Sequence, residues 1–180
     1  MKILPPSIKT DYGFYNNYIR KATENDLIAA LNDTLDQAKS LAGTFSDEQL
    51  NFRYSEGKWS IKELFVHLVD SERTFCYCIM RISRGDESIL PAINVHDFII
   101  NSQASERTIA SILKELELLR RATILMFEEM NEPMLEKTAM VRDAVISVRA
   151  LGFAMAGHII HHSDIIKEKY LPEINQQVVL

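Results

Sequence analysis

Cysteine is scarce. The 180 residues contain two, Cys76 and Cys78, and side chains two apart on a helix point about 200° away from each other, so this pair can neither bridge nor chelate one metal. A disulfide framework is excluded, and free thiols in a reducing compartment are expected. Long apolar runs are missing as well. No stretch approaches the roughly 18 uninterrupted apolar residues of a membrane span. The opening "MKILPPSIKT" lacks the apolar run and cleavage site of a secretory signal. These absences lead us to expect a cytoplasmic protein with no membrane partner. Clusters of one charge sign are lacking too: 25 acidic against 20 basic side chains give a formal charge of −5. No Lys/Arg cluster is present to track a phosphate backbone, which argues against nucleic acid as a partner.

What is present is the balance of a globular chain, with 47% apolar and 25% charged residues. The length suits one domain, residues 1–180, with a real core. There is no internal repeat, low-complexity tract or domain linker. Four segments carry an apolar period of 3.6 residues. The first starts at Thr23, which with Asp26 has a capping-box pattern, and runs through Leu27, Leu31, Leu35, Ala38 and Leu41 to Gly43. The second starts in "GKWSIKEL", where Ser60 caps, Glu63 closes the box and Trp59 is placed to staple onto Leu64; it runs to about Arg84, with Gly85 as C′. The third begins near Ser105 to Thr108 and continues until Pro133 forbids further helix. The fourth starts at Ser147 and ends by Pro172.

Little between these segments reads as strand, so the expected fold class is all-α, a four-helix bundle. The link between the second and third helices, about residues 85 to 104, is the longest. Pro91 and the Val95/Phe98/Ile99 spacing suggest a short helical turn inside it. A link that long can cross the bundle, so up-down-up-down order is not forced.

The fourth helix contains "GHIIHHSDIIKEKY", with three of the chain's five histidines. At about 100° per residue, with His158 at zero, the apolar stripe of Leu151, Met155, Ile165 and Ile166 centres near roughly 35°. His162 falls on its centre and His161 at its edge. The inward pair is His158 and His162. Four residues apart, their Cβ atoms lie about 5–6 Å from each other, which lets two imidazoles reach one cation. Two ligands make a weak site. His67, on the Leu64/Leu68/Ser71 face of the second helix, is the candidate third. Each buried neutral imidazole has one donor and one acceptor to satisfy. A shared cation satisfies the acceptors at once, which favours metal over a set of singly hydrogen-bonded core histidines. Three protein ligands leave coordination positions open, the pattern of a catalytic site rather than a structural one.

"GKWSIKELFVHLVDSER", "RISRGD" and "SVRALGFAMAGHIIHHSDIIKEKYL" resemble the DinB-like superfamily, whose members carry a His in the second helix and a GHxxHH stretch in the fourth. The resemblance runs from about Asp11 to Leu171. It implies a four-helix bundle with a crossed connection between helices 2 and 3 and often a homodimer. It also implies a divalent cation, zinc, nickel or manganese, held by three histidines at the positions of His67, His158 and His162. Relatives of this kind include transferases and isomerases dependent on bacillithiol, mycothiol or glutathione, and metal-dependent hydrolases. A small-molecule substrate and a low-molecular-weight thiol are the partners so implied.

Other residues are weighed against ordinary roles. Asp70, three after His67, is a candidate general base or ring partner, with a solvated charge as the alternative; Glu63 reads as a cap. Asp97 sits in the long link, where relatives often have an acidic residue. His96 and His161 suit surface or interface roles, and Cys78 suits a core thiol. Arg142 and Arg149 suit the surface, or an anionic cosubstrate. The function expected is thiol-dependent S-transfer or hydrolysis at a three-histidine site. The contrasting reading is a non-catalytic metal or ligand-binding bundle acting as a sensor or interaction module.

Overall fold

Ser60 opens the longest helix as its pattern predicts. In the computed structural model, which describes residues 2–7, 9–86, 88, 93–142 and 144–177, Ser60 Oγ accepts from the Glu63 N–H at 3.1 Å. Glu63 Oε2 accepts from the Ser60 N–H at 2.7 Å, closing the reciprocal box. The bundle helices are α1 (Leu27–Ala42), α2 (Ile61–Ser83), α3 (Ile109–Glu128) and α4 (Val148–Ile165). Thr108 and Ser147 cap α3 and α4 by accepting from the Ser111 and Ala150 N–H groups. Gly85, at φ 85°, follows the end of α2.

Helix α1 packs on α3 and α4, and α2 packs on the same two, so α1 stands diagonal to α2, and α3 to α4. Leu64 and Leu68 of α2 share an apolar cluster with Ile112 and Leu116 of α3, while Ile79 and Ile82 share another with Phe127. The neighbours α2 and α3 therefore run parallel. A parallel pair needs a connection that returns along the whole helix, about 34 Å for the 23 residues of α2. Residues 84–108 make that return. They include the expected short helix, Val95–Ile100, capped by Asn94; Pro91 lies outside the described residues. The fold class is thus the expected one, all-α with a long crossed connection between helices 2 and 3.

The structure corrects several boundaries. Thr23 does not cap α1. The helix begins after Asp26, whose carboxylate accepts from the Ile3 N–H at 2.9 Å, while the Leu27 N–H donates to the Ile3 carbonyl at 2.9 Å. A distant segment of chain does what a local side chain was expected to do. Helix α3 stops at Glu128, and Pro133 sits in the first turn of a separate short helix, Glu132–Leu135, where its missing N–H has no intrahelical partner to lose. A two-stranded antiparallel hairpin, β1 (Thr138–Val141) and β2 (Ala144–Ser147), was not foreseen. Nor does the fourth helix end by Pro172. A π-helical turn, Ile166–Tyr170, leads into a further helix, Leu171–Gln177. The wide turn directly precedes Pro172, a residue whose ring would clash with the carbonyl four back in a regular α-helix.

One polar network crosses the core. Arg120 donates from Nε and Nη2 to both oxygens of Glu72, at 2.8 and 2.9 Å, and from Nη1 to the Leu31 carbonyl at 2.5 Å and Thr34 Oγ1 at 3.1 Å. Thr123 Oγ1 donates to Glu72 at 2.9 Å. Both charges are buried, so each depends on the other, and the fork ties α1, α2 and α3 at one level. Removing one partner strands the other. Glu72→Ala should destabilise the protein by about 3–5 kcal/mol, read as a fall in urea midpoint. Replacing both Glu72 and Arg120 by Met should cost far less.

Candidate metal centre

Helix α4 is buried on nearly every side over Val148–Ile159, because a short N-terminal helix, Asn16–Ile19, covers the side that the bundle leaves open. Gly157 permits this approach: a Cβ there would fall 1.8 Å from the Tyr18 carbonyl oxygen. Gly152 does the same one level along, where a Cβ would lie 2.6 Å from Leu27 Cδ2 and 2.8 Å from Phe127 Cζ. The apolar stripe drawn from the sequence was therefore too narrow. It nevertheless selects the inward histidines, because His158 and His162 face α2 from the buried side and His161 is only half-buried.

The structure brings His67, His158 and His162 together. Nε2 of His158 lies 3.2 Å from Nε2 of His67 and 3.0 Å from Nε2 of His162, and the three rings meet edge to face with centroids 4.5–5.0 Å apart. All three are buried. A neutral imidazole nitrogen brings one N–H or one lone pair, so His158 Nε2 can satisfy one of its two neighbours well but not both. His162 Nδ1 is also buried without a hydrogen-bond partner among the described residues. Two nitrogens held about 2.0–2.1 Å from one tetrahedral cation would lie about 3.3 Å apart. The observed spacing and the all-imidazole donor set fit a divalent cation.

Neighbouring residues hold these rings. Ser71 Oγ lies 3.4 Å from His67 Nδ1. The Trp59 ring packs on His67, with centroids 5.1 Å apart, and the Trp59 carbonyl accepts from Tyr170 Oη at 2.6 Å. The π turn thus carries a buried tyrosine to the residue that walls the site. Tyr18 packs edge-on against His158. Burial holds all three imidazoles neutral. It depresses His67 to about 4, with His161 adding to it, and His162 to about 2, with His67 and His161 adding; His158, facing His162 and His67, is also held well below the ordinary value.

The rings open on a cavity of about 280 Å³. Its walls include Phe14, Tyr15, Trp59, Phe75, Val141 and Leu151, with Ser71, Thr74 and Cys78 along one face of α2 and Arg142 at the β1–β2 turn. Cys78 is thus a cavity wall as well as a buried thiol, and burial raises its pKa. Cys76 lies away from the cavity lining, beside Thr123 Oγ1 at 2.8 Å, and burial lifts it to about 11.

The acidic candidates lie elsewhere. Asp70 does not line the cavity; its carboxylate is 3.7 Å from Arg73 Nη1, in the field of Glu115 and Arg107, and burial raises its pKa. Asp97 is exposed and accepts from Asn94 Nδ2 at 2.7 Å, though its neighbours Ile93 and Val95 do reach the cavity wall. Glu63 serves the cap and a fork from Arg53. Arg149 is taken up by Glu132, Glu136 and the Leu4 carbonyl, away from the cavity, and His96 is exposed. Sequence reasoning missed the N-terminal aromatics Phe14, Tyr15 and Tyr18. The signal was present in the small residue Gly157, which marks where the Tyr18 backbone comes close to α4.

A family model described as the DinB superfamily matches residues 30–166. The chain belongs to the DinB superfamily. Among solved structures it is similar to YfiT from Bacillus subtilis, described as a probable metal-dependent hydrolase with an unusual four-helix bundle topology. The TM-score is 0.72 at 14% identity, covering 91% of this chain and 89% of that one. It is also similar to a mycothiol-dependent maleylpyruvate isomerase. There the TM-score is 0.64 at 10% identity, covering 77% of this chain and 58% of that one, so it spans little more than half of the isomerase. At such identities the likeness concerns the fold. A comparison with curated proteins finds no match. Among the described residues, no helix is long and apolar enough to cross a membrane.

The neutral imidazoles make a prediction for the metal-free protein. Above about pH 6.5, histidine is neutral in both folded and unfolded chains and adds no pH dependence. Below it the unfolded chain takes up protons that the folded site refuses, so stability falls as pH falls. The slope is on the order of 1.4 kcal/mol per pH unit for each such histidine. For His67 the fall levels off near pH 4, while His162 continues toward 2. Denaturant titrations between pH 7 and 4 should show this, with a shallower fall in His162→Leu.

Proposed function

We propose that this protein is a metal-dependent enzyme of the thiol-transfer type, in which His67, His158 and His162 hold one divalent cation and a small electrophile binds in the adjoining cavity. The observation that carries this reading is the convergence of three buried Nε2 atoms on one point in the wall of an apolar cavity. A cation bound there supplies positive charge that lowers the proton affinity of a neighbouring thiol or water and polarises an electrophile. The chain's own residues do the rest. Ser71 and Trp59 fix the His67 ring, Tyr18 and Phe75 pack against His158, and the aromatic walls offer an apolar surface to the electrophile.

Among the described residues, no carboxylate lines the cavity, and neither Asp70 nor Asp97 stands where a base for water would have to be. That favours a thiol as nucleophile, since a thiol ionises far more readily than water and needs no base beyond solvent. Hydrolysis differs only in the nucleophile and is the second reading; a related fold described as a metal-dependent hydrolase supports keeping it. A thiol-dependent neighbour of the same fold supports the first. Homodimeric assembly and a cytoplasmic location belong to the same proposal.

The test is metal analysis of protein prepared without a histidine tag, followed by assay. Wild type should take up one equivalent of zinc, nickel or manganese per chain, and His67→Ala or His162→Ala should lose it. The loaded protein should accelerate attack of a low-molecular-weight thiol on an electrophilic dye. A wild type without stoichiometric uptake contradicts the metal reading. Full uptake with ester hydrolysis and no thiol-dependent rate moves the assignment to hydrolase.

A further inference from the structure

The cavity is unequal in its charges. Its walls are aromatic and aliphatic, its three imidazoles are neutral, and Arg142 is the one charged side chain among the described residues lining it. No carboxylate among the described residues pairs with that guanidinium. Arg149, by contrast, is fully engaged by Glu132, Glu136 and a backbone carbonyl. Arg142 sits between the paired residues Val141 and Ala144, at φ 56°, a left-handed conformation that costs an arginine about 1–2 kcal/mol. Its guanidinium carbon lies over the Phe14 ring, 5.1 Å from the centroid. A guanidinium held over a ring face keeps N–H donors that can fork onto a carboxylate. Phe14 also packs edge-on against Tyr18, at 5.2 Å between centroids, and Tyr18 touches His158 at 5.0 Å. The cation is thereby joined to the histidine cluster through two aromatic rings along one wall. The Tyr18 phenol, next to the cavity, feels the positive charge of Arg142.

We propose that Arg142 is an anion subsite of this cavity, and that the small molecule bound there carries a carboxylate on an apolar or aromatic body. The carboxylate is held by the Arg142 fork, and the body lies among Phe14, Tyr18, Phe75 and Leu151, directed at the histidine cluster. The proposal deepens the functional reading above and rests on it for the identity of the reacting end, but Arg142 binding itself requires no metal. Arg142 is here a specificity-determining residue.

The chain's single tryptophan, Trp59, lines the same cavity, so its emission reports occupancy without any assay of turnover. The experiment titrates phenylacetate and the neutral phenylacetamide into wild type, Arg142→Gln, Arg142→Lys and His67→Ala, with and without bound zinc. Wild type should bind the acid about tenfold more tightly than the amide, the scale of one charge-assisted hydrogen-bonded pair. Arg142→Gln should abolish that preference by weakening the acid, with the neutral amide much less affected. Arg142→Lys should keep part of it, and His67→Ala should keep it in full. A preference that survives in Arg142→Gln but disappears in His67→Ala assigns the carboxylate to the metal and overturns the proposal. No response of Trp59 to either compound at millimolar concentration also overturns it. If wild type takes up no metal but still prefers the acid through Arg142, the functional reading fails while the anion subsite stands.

Discussion

Two imidazole nitrogens lie 3.0 and 3.2 Å from a third, His158 Nε2, inside a bundle, and much of the architecture serves to bring them there and hold them neutral. Burying a polar ring without partners costs free energy, and nothing local to α4 supplies what His158 and His162 lack. The third ring comes from α2, a neighbour that the chain reaches before the crossed connection and the whole of α3 intervene. The site therefore forms only once non-local packing is complete.

That packing has its own constraints. The Glu72–Arg120 fork fixes α1, α2 and α3 at one level, a little over one helical turn beyond His67. Gly152 and Gly157 let α1 and the N-terminal helix approach α4 so closely that any Cβ would collide. This close approach places Tyr18 on His158 and closes the cavity on one side. On the other side, the π turn at Ile166–Tyr170 delivers the Tyr170 hydroxyl to the Trp59 carbonyl, and Trp59 packs at a tilt against His67. Features that look like irregularities in helix α4 and beyond thus act on two rings of the cluster, His158 of α4 and His67 of α2.

The sequence discloses the periodic and local part of this structure. Ser60 with Glu63, Thr108 and Ser147 mark helix starts because a cap is read from adjacent residues. His158 and His162 are picked out by helical phase alone, and His67 by its apolar face. What depends on distant chain is not legible. Asp26 is satisfied by Ile3, so the Thr23 box never forms. The β1–β2 hairpin is short and half exposed and leaves little alternation to read. Asp70, attractive by its spacing from His67, turns toward Arg73 on the outer side of α2. The long link was legible as a link, but its crossing is visible only through the parallel contacts of α2 and α3. The aromatic wall from Phe14 to Tyr18 lay in a segment with too few residues to show a period.

If these three rings converge because they share one cation, X-ray absorption spectroscopy of the zinc-loaded protein should show it. The expected spectrum has a first shell of light atoms at about 2.0–2.1 Å with the outer-shell scattering of three imidazoles, falling to two in His158→Gln. A shell made of oxygen alone, or one containing cysteine sulfur, would contradict it.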